Sequence, residues 1–361
     1  MKVNPQQPAI FGMVLCFIAA ICFSAKAIFA KLAYAQAPDL DGLTLLALRM
    51  GLSLPFFVLS MAWLYLKNRK DPNAMEPLSR KDWLKLCVLG SLGFYLAGLL
   101  DFMGLMYISA ALERLILFLY PTLVVILSFV FFKQKLSKRD MIALLLTYAG
   151  ISLAFIHDIQ IEAETKNILI GSLFVLLSAI SFAFYLTGSG QVVQRVGSVR
   201  FTAIAMIIST IVTFLQFGMT YPMHHLLHYD AKVYWLAGLM AIFSTALPSL
   251  LFAEGMRRIG ANHAAMINTI GPVATIFLAY IYLDEPVGGI QIAGAGLVLT
   301  GVLLIKPKSK NNTSQTPETG VEVDGTIMPV TETEIAENDE GAFVGLNPSD
   351  NLDQSIATKK C

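Results

Sequence analysis

Long runs without a single Asp, Glu, Lys or Arg dominate the chain, among them 3–25, 50–66, 86–100, 115–132, 167–194, 201–229, 233–253, 259–283 and 286–305. A bilayer core takes about 20 consecutive apolar residues per helix. The pattern predicts ten transmembrane helices at 9–33, 42–66, 83–107, 110–132, 140–157, 168–189, 200–221, 233–254, 262–283 and 287–305. The expected class is an all-α polytopic membrane protein. A basic start, an apolar run and Ala25-Lys26-Ala27 imitate a cleaved signal peptide, but this segment has a counterpart later in the chain that no cleavage would remove.

Composition agrees. Of 361 residues, 56% are apolar and 14% charged, against about 25% charged in soluble domains. The net charge of +1 hides a split: residues 1–310 hold 24 basic and 15 acidic residues, and residues 311–361 hold 2 and 10. The acidic segment from 306 to 361 has no apolar period and reads as a disordered cytoplasmic tail. Of the four cysteines, Cys16, Cys22 and Cys87 fall in apolar spans and Cys361 ends the chain, which is neither a disulfide framework nor a metal-ligand spacing.

Lys and Arg accumulate on cytoplasmic connectors. With the N-terminus inside, those connectors hold 17: Lys2; Lys67, Arg69, Lys70, Arg80, Lys81; Lys133, Lys135, Lys138, Arg139; Arg195, Arg200; Arg257, Arg258; Lys306, Lys308 and Lys310. The opposite side holds 3, namely Arg114, Lys166 and Lys232. Both termini are therefore expected in the cytoplasm and the protein in the cell (inner) membrane.

The ten spans also repeat. A shift of 159 pairs Gly12, Ala20, Ile21 and Phe23 with Gly171, Ala179, Ile180 and Phe182. A shift of 151 pairs Ile108, Ala110, Ile116, Pro121, Leu127 and Gly150 with Ile259, Ala261, Ile267, Pro272, Leu278 and Gly301. The halves are 9–157 and 168–305. Five is an odd number, so the second copy enters the membrane from the other side, giving two inverted five-helix repeats, an organisation of secondary transporters. Lys133-Gln134-Lys135 aligns with Asp284-Glu285-Pro286, the same place with reversed charge.

With Ser109-Ala110-Ala111…Tyr120-Pro121-Thr122, Gly260-Ala261-Asn262…Gly271-Pro272-Val273 and the Leu283-Asp284-Glu285-Pro286 turn, the chain resembles the EamA-type branch of the drug/metabolite transporter superfamily over roughly residues 9–306. Gln134 departs from the Glu usual there. The resemblance implies a metabolite exporter or exchanger, with a cavity lined by the first, third, fourth, sixth, eighth and ninth spans.

Candidate chemistry lies inside the spans. Pro121 and Pro272 are aligned and clash with the carbonyls four residues back; they read either as packing kinks or as the helix interruptions that mark a midplane site. Asn268 adds an amide at that level. Lys26, Arg49 and Asp101 lie about 9–10 Å below one surface, at 1.5 Å per residue. A buried ion costs about 2.5–3.5 kcal/mol on the lenient scale, so Arg49 and Asp101 are expected to pair. Lys26 is left either to snorkel outward or to meet an anionic substrate, while Asp101 is a candidate proton carrier. Tyr95, Gly98 and Asp101 share a stripe, and Tyr185 is the repeat equivalent of Lys26. Glu113 and Arg114 open the fourth span and read as interfacial. Glu254 and His263 flank Arg257-Arg258 in an expected salt-bridged turn, and Gly289, Ala293, Gly296 and Thr300 suit close helix contact.

No Walker A sequence is present, so no ATP hydrolysis is expected. No cofactor, metal or nucleic-acid partner is implied; the expected partners are lipid, a small-molecule substrate, and a proton or counter-substrate. The leading reading is a secondary transporter working by alternating access on a small organic metabolite such as an amino acid or related anion. The alternatives are a membrane acyltransferase, resting on His225 as base and Asp230 as its orienter, and a channel or non-transporting scaffold. His224 and His228 at helical spacing would be needed for a metal reading.

Overall fold

In the computed structural model, residues 6–68, 77–132, 138–161 and 165–304 are described, and all the regular structure among them is helical. The expectations at Arg69-Lys70, at Gln134 and for the tail at 306–361 lie outside those residues, as does the His263 side chain. The chain runs α1 (Gln6–Gln36), α2 (Gly42–Asn68), α3 (Arg80–Gly90) and, through a π-helical turn at Ser91–Leu96, α4 (Ala97–Leu105). It continues with α5 (Ala110–Leu117), α6 (Tyr120–Phe132), α7 (Lys138–Ile161), α8 (Thr165–Val196) and α9 (Ser198–Thr220). After a 3-10 turn at Met223–Leu227 come α10 (Ala231–Ala241), a second π-helical turn at Ile242–Ala246, α11 (Leu247–Asn268), α12 (Gly271–Tyr282) and α13 (Gly289–Leu304). Among the described residues eight helical stretches are long and apolar enough to cross a membrane, three of them (Arg80–Leu105, Ala110–Phe131 and Ala231–Phe252) running through a π-helical turn or a helix break, and Gly271–Tyr282 and Gly289–Leu304 are shorter apolar helices. Side chains such as Leu59, Trp63, Leu145, Leu215 and Phe277 point outward, each more than half exposed. In water that surface would drive association; in hydrocarbon it has no penalty.

Helix starts follow local side-chain chemistry. Ser79 caps α3 in a reciprocal box with Asp82, Asp41 accepts from the Thr44 N–H at 2.8 Å ahead of α2, and Ser109 accepts from the Leu112 N–H at 3.0 Å in α5. Each satisfies a backbone donor that the first helical turn leaves unpaired.

The two halves repeat at the level of irregularities. The π-helical turns begin at Ser91 and Ile242, 151 residues apart. Two helix breaks, at Phe118-Leu119 and Thr269-Ile270, have the same spacing. Both carry matching bonds: Leu119 N–H to the Ile116 carbonyl (3.0 Å) and Ile270 N–H to the Ile267 carbonyl (3.2 Å), then Leu123 to Leu119 and Ala274 to Ile270 (2.9 Å each). Pro121 and Pro272 thus lie in the first turn of new helices, where the missing N–H costs nothing, and not within kinked continuous spans.

Glycines fix the crossings in the same duplicated way. A Cβ on Gly171 of α8 would stand 2.9 Å from the Gly104 carbonyl oxygen of α4; a Cβ on Gly255 of α11 would stand 2.8 Å from the Gly12 carbonyl oxygen of α1. Gly12 and Gly171 are repeat equivalents, as are Gly104 and Gly255, so α1 lies on α11 as α8 lies on α4. The pairs α2 with α9 and α7 with α13 pack equivalent helices against each other.

Two expectations about the second half need correction. A turn was expected at 255–261, yet α11 runs unbroken to Asn268. The segment holds no proline, and Met256, Arg257, Arg258 and Ala261 are good helix formers, so its two glycines do not stop the helix before the break ahead of Pro272. The close-contact face of α13 is also not Gly289, Ala293, Gly296 and Thr300. Cβ atoms on Gly289 and Gly296 would meet nothing within 4 Å, whereas one on Gly294 would lie 2.5 Å from the Gly150 carbonyl oxygen. Gly294, Val298 and Gly301 form the buried face, one helical step round from the predicted one.

Gly294→Ala is therefore expected to lower stability by about 1–3 kcal/mol, since backbone faces the new methyl. Gly296→Ala, two residues away, is expected to gain about 0.5–1 kcal/mol by removing helical glycine. Thermal unfolding of both variants in one detergent checks the pair.

Candidate functional site

Burial of three charges at one level organises the site. Lys26 projects from α1 between α4 and α5. Its ammonium makes a short hydrogen-bonded ion pair with Asp101 Oδ2 and stands 3.1 Å from Glu113 Oε1. The Glu113 side chain is 0% exposed and the Asp101 side chain 5%. The expected Arg49–Asp101 pair is thus replaced by a Lys26–Asp101–Glu113 triad, and Lys26 does not snorkel outward. Both α1 and α2 pack on α4; the difference is where the side chains are directed, Lys26 towards Asp101 and Glu113 and Arg49 over Phe102. Arg49 lies with its guanidinium 5.0 Å from the Phe102 ring centroid, in space left by Gly98, whose Cβ would stand 3.3 Å from Arg49 Nη2.

Glu113 and Arg114 were assigned to the interface from their place at the start of the fourth span. That placement is corrected: α5 is a separate short helix whose first turn is buried against α1, α7, α8 and α12. The useful sequence signal is their distance from Pro121. The proline starts a new helix, which leaves the preceding segment free to run as a short inner one.

Arg114 joins the two helix breaks. Its guanidinium lies 5.5 Å from the Phe118 ring centroid, and Nη2 occupies space that a Cβ on Gly271 would enter, 2.7 Å away. Gly271 precedes Pro272 at the start of α12, and its carbonyl accepts from Ser24 Oγ of α1 at 2.9 Å. Tyr120 precedes Pro121 at the start of α6, and Asn268 at the end of α11 interacts with its side chain. Asn268 Oδ1 and Arg114 Nε are buried without a hydrogen-bond partner. Among the described residues no carboxylate lies within ion-pair distance of Arg49 or Arg114. Arg114 lies against Phe118 at one break and beside Gly271 at the other, positions that Pro121, Asn268 and Pro272 adjoin in sequence.

The other predicted positions lie apart. Tyr95 donates to Gln216 Oε1 of α9 at 2.7 Å. Tyr185 fills the space above Gly93 and stacks among Phe94, Phe182 and Phe201, with ring centroids 5.1–6.0 Å apart. Phe182 in turn meets Tyr120 edge-on at 5.5 Å, so this aromatic cluster adjoins the break region.

At one end of the bundle, the Leu283-Asp284-Glu285-Pro286 turn has a structural role. Asp284 adopts φ 53°, a left-handed conformation Asp tolerates at a helix C-terminus. The turn returns Glu285 to α5, where Oε1 accepts from the Ala110 N–H at 2.9 Å and Oε2 from the Ala111 N–H at 3.4 Å. Beside it is a cavity of about 380 Å³ lined by Lys31, Ser109, His157, Asp158, Glu285 and Gln291, among others. Burial raises the Glu285 pKa, against the lowering effect of the two amide donors and Lys31.

Elsewhere, Glu254 and Arg258 pair at 2.8 Å, within α11 and not in a turn. His225 stacks on Tyr221 at 4.9 Å and its Nε2 meets the Tyr229 hydroxyl at 2.9 Å. Asp230 instead caps α10 through the Lys232 N–H. The acyltransferase arrangement, with Asp230 orienting His225, is not formed. Among the described residues no group of three His, Cys, Asp or Glu side chains is placed to hold a metal.

The profile of the EamA-like transporter family matches residues 10–156 and again 169–306. An uncharacterized transporter of Bacillus subtilis (strain 168), YcbK, is 33% identical over 307 residues, covering 82% of this chain and 94% of that protein. An uncharacterized transporter of Synechocystis sp. is 25% identical over 330 residues, covering 86% and 96%. A solved crystal structure with TM-score 0.55 and 16% identity covers 81% of this chain and 94% of that one, a likeness of fold.

Glu285→Ala leaves two α5 amides without their acceptor and is expected to cost about 1 kcal/mol, with Glu285→Gln costing less. Above the ordinary carboxylate pKa the unfolded chain has lost the Glu285 proton while the folded protein still holds it, so wild-type stability falls there as pH rises. The Gln variant lacks this loss. Its melting temperature should gain on the wild type across that window, as parallel pH-dependent melts would register.

Proposed function

Since the chain belongs to the EamA-like transporter family, a family of membrane transporters and not of enzymes, we propose that it moves a small organic anion by alternating access, with Arg114 as the principal substrate contact. The observation that carries this reading is a half-buried guanidinium with no carboxylate partner among the described residues, set beside both helix breaks. Among the described residues three cations (Lys26, Arg49, Arg114) face two carboxyl groups (Asp101, Glu113) in this buried region, so positive charge is in excess whether one or both carboxyls are ionised. The excess favours an anion. We place it at Arg114, because Lys26 is occupied by two carboxylates and, of the two arginines that lie over aromatic rings, Arg114 is the one that borders Gly271 at a helix break. A guanidinium presents paired donors to a carboxylate, and an amino acid or related metabolite has the right chemistry.

The duplicated breaks supply the pivot. Half-helices that start at Tyr120 and Gly271 leave backbone groups free at the level of the site, the arrangement transporters use for substrate contact. Rocking of one five-helix half against the other would open that level to each side in turn. Without Arg114, Arg257 and Arg258, which lie mid-helix, the bias is 15 basic residues to 2, and it supports cytoplasmic termini.

A thermal-shift screen of purified protein against matched panels of anionic, neutral and cationic metabolites tests the substrate class. Hits are expected in the anionic panel. In proteoliposomes a hit should show saturable flux. Arg114→Gln is expected to weaken its binding by about 10–100-fold, the loss of a charged hydrogen bond worth about 1.5–3 kcal/mol, and Arg114→Lys by less. Hits confined to the cationic panel, or unchanged flux in Arg114→Gln, would overturn the reading.

A further inference from the structure

The triad contains more acceptors than donors. Asp101 Oδ2 takes the Lys26 hydrogen bond, but Asp101 Oδ1 is buried without a partner, and neither Glu113 oxygen receives a hydrogen bond of good geometry. The two carboxyl groups converge on the same ammonium, that of Lys26. As two carboxylates they would leave three buried acceptor atoms unsatisfied, a costly arrangement in a site closed to water. Two carboxyls sharing a site do not both ionise readily.

We propose that Asp101 and Glu113 hold one exchangeable proton between them, donated by the Glu113 carboxyl to Asp101 Oδ1, and that this pair is the transporter's proton-binding site. One proton converts a Glu113 oxygen into a donor and satisfies Asp101 Oδ1 in the same bond. Lys26 then neutralises the single remaining negative charge, so the triad becomes neutral as a unit.

The surrounding groups set its behaviour. From α1, Tyr34 donates to the Phe102 carbonyl at 2.9 Å, one residue from Asp101; from α2, Arg49 lies over Phe102; from α5 itself, Arg114 follows Glu113. From α7, which packs on α5, His157 and Asp158 lie at the Ser109 end, with Asp158 Oδ2 3.3 Å from the Ser109 N–H. Among the described residues Lys26 is the one cation within 4 Å of either carboxylate. On the transport reading above, an anion arriving at Arg114 cancels a charge that favours ionised Glu113 and adds a like charge beside it. Proton and anion then bind with mutual reinforcement, a coupling that is reciprocal by thermodynamic linkage, and they cross together.

Infrared spectroscopy of the substrate-free protein tests the site. The wild type at neutral pH should show a protonated-carboxyl stretching band that shifts in heavy water. Glu113→Gln should abolish its triad component, and so should Asp101→Asn, which removes the partner that shares the proton. Lys26→Gln should retain the component and move its titration to higher pH, because the cation opposing protonation is gone. A Glu285→Gln protein with the triad intact, carrying carboxyl-labelled glutamate, gives the same reading where a triad variant does not fold. No protonated-carboxyl band at neutral pH, a band unaltered by Glu113→Gln and Asp101→Asn, or no isotope shift with labelled glutamate would overturn the proposal. Because no substrate is present, failure here leaves the Arg114 reading standing, and failure of anion flux leaves the proton site standing.

Discussion

An ammonium moved from water into hydrocarbon is stable only beside compensating charge, and the placement of Lys26 follows from that constraint. Its two carboxylates come from α4 and α5, so one side chain ties three helices together at a single level. That contact removes Lys26 from the set of free cations and closes Asp101 to Arg49. What remains among the described residues is positive charge at Arg49 and Arg114, on which the proposed anionic substrate class rests.

The duplicated architecture provides a frame whose chemistry is not duplicated. Both halves have a π-helical turn, a break before a proline and a glycine-to-glycine crossing at equivalent positions. Yet Lys26 corresponds to Tyr185, Asp101 to Phe252, and Glu113 and Arg114 to Ala264 and Ala265. The second half contributes backbone and amide at the break, through Gly271 and Asn268, while the first contributes the ions. A symmetric frame allows two related conformations; an asymmetric charge set lets one place in it bind.

The parts of this arrangement governed by local rules were legible in the sequence. Apolar runs located the membrane helices, and the paired shifts of 159 and 151 located the repeat, because Gly12, Gly171, Pro121 and Pro272 are needed at close crossings and helix starts. Partnership was not legible. Depth along a helix placed Lys26, Arg49 and Asp101 in one layer, but the choice of partner depends on which helices adjoin and how they are rotated. The same limit misassigned the contact face of α13, where Gly294 and not Gly296 meets α7. Glu113 and Arg114 read as interfacial because a charge at the start of an apolar run looks so until the run is known to break at Phe118-Leu119. The 255–261 segment was read as a turn from its paired arginines, although its helix-forming residues carry the helix through.

The most direct measurement compares the unfolding free energy of the wild type, Lys26→Met and the triple variant Lys26→Met/Asp101→Asn/Glu113→Gln in the same detergent. Removing Lys26 alone leaves buried carboxylates uncompensated and is expected to cost about 3–5 kcal/mol. Neutralising all three should recover most of that loss. A Lys26→Met protein as stable as the wild type would contradict the account, since the triad would then hold nothing together.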